Sequence, residues 1–142
     1  MSKQVYEVKL YVDGSVRGNP GPGGYAAILQ CNGREKIISG GTSETTTNNR
    51  MELQAVIVGL RALKTQAVAM TIYTDSQYVV GQLNGHRTRA NQELVAEMRE
   101  LVGALSRYQV VKVAAHAGDT ANERCDQLAR QEAERAQATA FA

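Results

Sequence analysis

Asp13, Glu52, Asp75 and Asp126 are far apart in sequence, yet each stands where its carboxylate can be aimed into one shared cleft. Asp13 closes the apolar, strand-like run VYEVKLYVD and is followed at once by Gly14. Glu52 lies near the start of a helical stretch opened by Thr47-Asn48-Asn49-Arg50; Asp75 ends a second apolar strand; Asp126 falls inside the C-terminal helical stretch. Acids that converge repel one another and partly protonate unless a cation joins them. A hard divalent ion such as magnesium meets that need, because it prefers carboxylate and water oxygens.

The elements that must position these acids follow from periodicity. Tyr6, Val8, Leu10 and Val12 alternate with Glu7, Lys9, Tyr11 and Asp13, so Asp13 is expected on the less apolar face of a first strand. The glycine- and proline-rich residues 14–24 predict turn structure, residues 25–31 a second strand, and Asn32-Gly33 a tight hairpin into a third strand over 34–39. Polar residues 40–47 lead to a helix over about 48–64, with Leu53, Val56, Leu60 and Leu63 on one face. A strand over 68–74 and a short helix over 75–83 come next, then a loop over 84–90. A helix over 91–105 carries the stripe Leu94, Met98, Leu101 and Leu105, followed by a strand over 108–114, a loop over 115–120 and a helix over about 121–137. The order predicts an α/β fold: a mixed five-stranded sheet, three antiparallel strands then two parallel additions, flanked by helices. Sites in such sheets gather at strand C-terminal ends, where Asp13 and Asp75 both lie.

The chain has 142 residues, 43% hydrophobic and 21% charged, enough for one domain spanning 1–142 with a real core. No stretch reaches the roughly 18 apolar residues of a membrane span. The first residues, MSKQVYEVKL, alternate polar with apolar and lack a secretory core, so the expected setting is cytoplasmic, with no membrane partner. A net charge of +2 is too mild to identify a nucleic-acid partner by itself. Cys31 and Cys125 lack metal-ligand spacing and are read as free, partly buried thiols. Met51 and Met98 read as core filler, Arg50 as a local ion-pair partner for Glu52, and Arg130, Glu132, Glu134 and Arg135 as a solvated helix face.

The blocks YVDGSVRGNPGPGGYAAIL at 11–29, TTNNRMELQAV at 46–56, IYTDSQYVV at 72–80 and HAGDTANERCDQLA at 116–129 together resemble type 1 ribonuclease H of the bacterial and archaeal kind. The resemblance covers most of the chain, with the four blocks in the family's order. It implies an endonuclease that hydrolyses the RNA strand of RNA/DNA hybrids, leaving 5′-phosphate and 3′-hydroxyl ends. It also implies two Mg2+ ions per site in the substrate complex, with Mn2+ able to substitute, held by Asp13, Glu52, Asp75 and Asp126. In a two-metal site, ions roughly 3.5–4 Å apart activate a water on one side of a phosphodiester and neutralise the departing oxygen on the other. Four carboxylates carry about −4, which two divalent ions bring close to neutrality.

By the same resemblance His116 is the proton-exchanging histidine, and an imidazole suits that role near neutral pH. His86, in a basic loop, reads as solvated or as a phosphate contact. Asn19, Asn48 and Gln77 match positions that read minor-groove edges, where amides donate and accept without demanding a sequence. Glu52 and the Gly14 backbone are expected at the ribose 2′-hydroxyl, the group that tells RNA from DNA. Thr47 and Asn49 resemble a phosphate pocket for the DNA strand at a helix start.

Two departures stand out. Many bacterial members carry a basic, tryptophan-containing protrusion before the next long helix; here the interval is 84–90, with His86, Arg87 and Arg89, and the chain has no tryptophan. Weaker, more salt-sensitive binding is expected, and other RNA-containing duplexes join the expected substrates, as in protrusion-lacking members. Ala115 stands before His116 where many relatives have glycine, which stiffens that loop. The chain is read as a monomer. A non-catalytic duplex binder and a DNA nuclease of the wider ribonuclease-H-like group are the rival readings; the intact acids oppose the first, and the amides with the TTNNRMEL and DSQYV blocks oppose the second.

Overall fold

A computed structural model describes residues 4–114 and 120–141. In chain order the elements are β1 (Tyr6–Val16), β2 (Gly21–Cys31), β3 (Arg34–Thr46), α1 (Asn48–Arg61), β4 (Val68–Thr74), α2 (Gln77–Leu83), α3 (Gln92–Gly103), β5 (Arg107–Lys112) and α4 (Thr120–Ala140). The strands form one sheet in the order β3-β2-β1-β4-β5. β1 and β3 run antiparallel to β2, while β1, β4 and β5 are mutually parallel. This is the mixed sheet expected from the sequence.

The alternation in β1 sends side chains to two different packing layers. Val8, Leu10 and Val12 join Leu53, Val56, Ile57 and Leu60 of α1, Val79 of α2 and Met98 of α3 in the larger core. Tyr11 faces the other way and packs with Ala26 and Ile28 against Ala121, Cys125 and Ala129 of α4. Asp13, two residues after Tyr11, shares its face and is therefore directed toward the helix that carries Asp126.

The turn structure expected over residues 14–24 is confined to residues 17–20, and the third strand, expected over 34–39, extends through most of the polar segment that follows it. β1 runs on to Val16, β2 begins at Gly21, and β3 continues to Thr46, so most of those glycines lie in paired strands. The reason is close packing: a Cβ on Gly24 would lie 2.4 Å from the Ala129 carbonyl oxygen and 2.5 Å from the Ala133 nitrogen. Glycine on the sheet and a stripe of small residues on α4 let helix and strand backbones touch. On α3 the buried face is centred on Val95, Met98 and Val102, with Leu94 and Leu101 at its margin, a rotation of about one residue from the expected stripe.

Both cysteines are free thiols. Cys125 is fully buried, its Sγ donates to the Tyr11 carbonyl oxygen at 3.3 Å, and burial pushes the thiol up to about 12. Met51 and Met98 are both core residues. Among the described residues, no helix is long and apolar enough to cross a membrane.

Candidate active site

The parallel pairing of β1 with β4 sets the site. Tyr11 is opposite Tyr73, and their rings stack at 4.7 Å between centroids. Two residues beyond that pair lie Asp13 and Asp75: Asp75 stands just past the end of β4, as expected, whereas Asp13 is not at a strand end, because β1 continues to Val16 in its pairing with β2. Asp75 sits on a bend between β4 and α2, held by two short-range bonds: the Ser76 amide donates to Thr74 Oγ1 at 3.0 Å, and Ser76 Oγ caps α2 by accepting from Val79 N at 3.1 Å.

Glu52 reaches the same place because Gly14 has no side chain. A Cβ there would lie 2.7 Å from both Glu52 N and Met51 C, so β1 and the start of α1 meet only with glycine at this position. Thr47 fixes the start of α1, its Oγ1 accepting from Arg50 N at 3.3 Å. Carboxylate oxygens of Asp13, Glu52 and Asp75 consequently all lie within 4.8 Å of one another.

Asp13 and Glu52 are 7% and 2% exposed, and that burial governs their protonation. Desolvation, aided by the charges of Asp75 and Asp126, pushes Asp13 up to about 7, against the opposing effects of a Glu52 hydrogen bond and the Gly14 amide. That amide donates to Asp13 Oδ1 at 2.9 Å. Glu52 is raised well above the usual carboxylate range, by burial first and the Asp13 charge second. Its Oε2 is buried with no hydrogen-bond partner among the described residues. An acceptor atom without a donor, inside a cluster of three acids, is the environment a hard cation relieves.

Asp126 stands slightly apart. Its Oδ2 pairs with Arg130 Nη2, one turn along α4, at 3.2 Å, while the residue lines the same cleft of about 480 Å³ as the other three acids. The structure therefore brings all four acids to one cleft, three of them in a tight group.

The expected substrate-contacting residues surround that cleft. Asn48, Asn49, Gln77 and Gly14 line it directly. Asn19 is joined to it through its Oδ1, which accepts from Asn48 N at 3.1 Å. Thr47 immediately precedes them as the cap of α1. His116 and Ala115 lie outside the described residues. Ser76 and Tyr78 also line the cleft, although nothing singled them out in the sequence beyond their place beside Asp75 and Gln77. Arg50 does not pair locally with Glu52 as expected: it reaches across to α3, donating to Asn91 Oδ1 at 3.0 Å and Glu93 Oε1 at 2.8 Å. Its helical position points it away from a carboxylate that is buried in the acid cluster. On the C-terminal helix the expected solvated charges are partly paired, Arg130 with Asp126 and Arg135 with Glu132.

Fold and site together define an α/β enzyme whose carboxylate centre, just beyond the last parallel pair of β1 and β4, is suited to divalent ions. The sequence pattern of the RNase H family matches residues 6–134. Ribonuclease H of Nitratidesulfovibrio vulgaris is 44% identical over 145 aligned positions, covering 92% of this chain and 91% of that protein. Ribonuclease H of Helicobacter acinonychis is 42% identical, covering 91% of this chain and 94% of that one. Among solved structures, the N-terminal RNase H domain of a Mycobacterium tuberculosis protein superposes with a TM-score of 0.83 at 25% identity, covering 95% of this chain and 99% of that one. RNase H1 of Halobacterium salinarum superposes with a TM-score of 0.71 at 30% identity, covering 91% and 98%. The chain belongs to the RNase H family, as a type 1, metal-dependent ribonuclease of bacterial and archaeal character.

Proposed function

We propose that this chain, acting as one catalytic domain over residues 1–142, hydrolyses the RNA strand of RNA/DNA hybrids and leaves 5′-phosphate and 3′-hydroxyl ends. The observation that carries this reading is the group of Asp13, Glu52 and Asp75 oxygens within 4.8 Å, with Glu52 Oε2 lacking a partner among the described residues. Two magnesium ions, or manganese in their place, would be held by Asp13, Glu52, Asp75 and Asp126. Bound there, they supply positive charge for activating a water and neutralising the departing oxygen.

The residues of the chain do the rest by placement. Gly14 N–H donates to one oxygen of Asp13 and so restrains that carboxylate beside Glu52 and Asp75. Burial biases Asp13 and Glu52 toward their protonated forms, and positive charge held in the cleft would oppose that bias. Asp126 enters from the opposite helix, where Arg130 keeps its carboxylate paired in the meantime. Asn19, Asn48 and Gln77 are placed to read minor-groove edges, and Glu52 with the Gly14 backbone to meet the ribose hydroxyl. Thr47 and Asn49, at the start of α1, are placed for a phosphate of the DNA strand. His116 is assigned the proton exchange that accompanies product departure.

One experiment tests the whole reading: end-labelled RNA/DNA hybrid, double-stranded RNA and double-stranded DNA are incubated with Mg2+, Mn2+ or chelator. Metal-dependent cutting of the RNA strand in the hybrid, with 5′-phosphate products, is expected. Asp13→Asn and Asp75→Asn should lower the rate by at least about a hundredfold while the proteins remain folded. Hybrid binding without cleavage would mark a non-catalytic binder, and cutting of double-stranded DNA would mark a nuclease of another specificity; either result overturns the proposal.

A further inference from the structure

α2 has only seven residues, too few for a helix to persist without support at its ends. Its C-terminal end is tied down twice. Gly85, with φ at 85°, turns the chain so that the Gly85 amide donates back to the Gln82 carbonyl at 3.3 Å and the His86 amide to the Gly81 carbonyl at 3.0 Å. Arg99 then holds the same turn from α3. Its Nε donates to the Gln82 carbonyl at 3.0 Å, and its Nη2 donates to Gln82 Oε1 at 3.1 Å and to the His86 carbonyl at 2.6 Å. Arg99 is in no ion pair among the described residues, so its charge is directed at three neutral oxygens. A rigid guanidinium fork can meet three such acceptors together; an ammonium on a flexible stem cannot hold that pattern.

The segment held in this way is the interval 84–90. Its far end is fixed as well, since Gln92 Nε2 donates to the Thr88 carbonyl at 3.3 Å and Thr88 Oγ1 donates to the Ala90 carbonyl at 2.7 Å. Thr88 Oγ1 also lies 3.4 Å from Tyr78 Oη, and Tyr78 lines the acidic cleft, so the middle of the loop abuts the cleft wall. On either side of Thr88 stand Arg87 and Arg89, both exposed and in no ion pair among the described residues. The backbone of the loop is anchored while these two side chains are left to meet a ligand.

We propose that Arg99 is a positioning residue for nucleic-acid binding: its guanidinium clamps the 84–90 loop to α2 and α3, so that Arg87 and Arg89 meet phosphates of the duplex from a preset geometry. The inference rests on the reading that the chain takes an RNA/DNA hybrid. A loop that is already ordered loses less conformational entropy on binding, so releasing the clamp weakens binding and leaves the acid cluster and the chemical step alone.

The bland alternative is that Arg99 only caps α2 and stabilises the fold. Hybrid binding followed by anisotropy in Ca2+, over a range of KCl concentrations, separates the two. Arg99→Ala should weaken binding about three- to tenfold at low salt and lower the slope of log affinity against log salt by about 1. In Mg2+, its KM should rise accordingly with kcat within about twofold of wild type. Arg99→Lys, which keeps the charge and loses the fork, should behave as Arg99→Ala does. In an Arg87→Ala/Arg89→Ala background, Arg99→Ala should change affinity by less than about 1.5-fold, because the clamp then has nothing to position. Hydrogen exchange at the Gly85 and His86 amides needs no nucleic acid, and in both Arg99 variants it should accelerate at least about tenfold beyond any change in β1. Wild-type affinity and slope in Arg99→Ala, an equal loss when Arg87 and Arg89 are already replaced, wild-type binding by Arg99→Lys, or unchanged exchange at Gly85 and His86 would each overturn the proposal. A wild-type protein that ignores the hybrid while exchange still responds would instead overturn the hybrid reading, and with it the role of the two arginines, leaving Arg99 as a cap of α2 alone.

Discussion

At the scale of single residues, the site is a place where charge has been buried ahead of its partner. Asp13, held near 7 rather than at the ordinary 3.8, binds a proton in the folded state that the unfolded chain has already lost over that interval. The sign follows directly: with more protons bound when folded, stability of the metal-free protein falls as pH rises from about 4 to about 7. The effect on Asp13 is on the order of 2 kcal/mol once partial hydration is allowed for. Thermal unfolding in chelator between pH 4.5 and 8 should show this decline, and Asp13→Asn should reduce its slope, the remainder belonging to Glu52, melting several degrees above wild type at pH 7.5 and close to it at pH 4.5. An Asp13→Asn protein with the wild-type slope would contradict the burial argument. The same protons oppose metal uptake, so calorimetric Mg2+ binding should tighten from pH 6 to pH 8 and release protons to the buffer. The four acids were legible in the sequence because each closes an apolar run or lies within a helical stretch. The reach of Arg50 to Asn91 and Glu93 was not, since a contact across two helices has no signature in local spacing, whereas the Asp126–Arg130 pair, one turn apart on a helix, has one.

At the scale of elements, glycine decides how closely the layers approach. Gly24 lies under α4 and Gly14 under α1, and these two positions lead to different outcomes when filled. Gly24→Ala would drive a methyl into the Ala129 and Ala133 backbone and should destabilise the protein by about 1–3 kcal/mol or more, measured by urea unfolding. Gly14→Ala would press on Met51 and Glu52 and move α1 off β1, separating Asp13 from Glu52. Its expected signature is a loss of metal affinity beyond what its stability loss explains, visible as a weaker Mg2+-induced rise in melting temperature than in Gly24→Ala. Equal metal-induced shifts in the two variants would argue against Gly14 as the residue that joins the acids. Strand and helix order was readable from periodicity, and β4 falls on its expected residues, 68–74. The glycine-rich segments were misread because glycine in a turn and glycine under a packed helix look alike in sequence; only the small-residue stripe of α4, Ala121, Cys125, Ala129 and Ala133, distinguishes them.

For the whole molecule, little positive charge is left uncommitted. The net charge is only +2, and the interval between α2 and α3 offers Arg87 and Arg89, both exposed and without an ion-pair partner among the described residues. The loop carrying them is held firmly: Arg99 donates to the Gln82 carbonyl at 3.0 Å, to Gln82 Oε1 at 3.1 Å and to the His86 carbonyl at 2.6 Å. Two exposed cations on a braced loop, in a molecule whose net charge is only +2, make binding modest in strength and dependent on ionic conditions. Each phosphate contact contributes roughly 0.7–0.9 to the slope of log affinity against log salt. Hybrid binding followed by anisotropy between 50 and 300 mM KCl, in Ca2+ to prevent turnover, should give a slope of about 2–3, falling by roughly 1.5 in Arg87→Ala/Arg89→Ala. The double variant should weaken binding to hybrids of any sequence alike, because phosphate contacts carry no base information. An unchanged slope would place the phosphate contacts elsewhere, on the start of α1 around Thr47 and Asn49, and would leave the short loop as a brace for the cleft wall without a direct hold on the duplex.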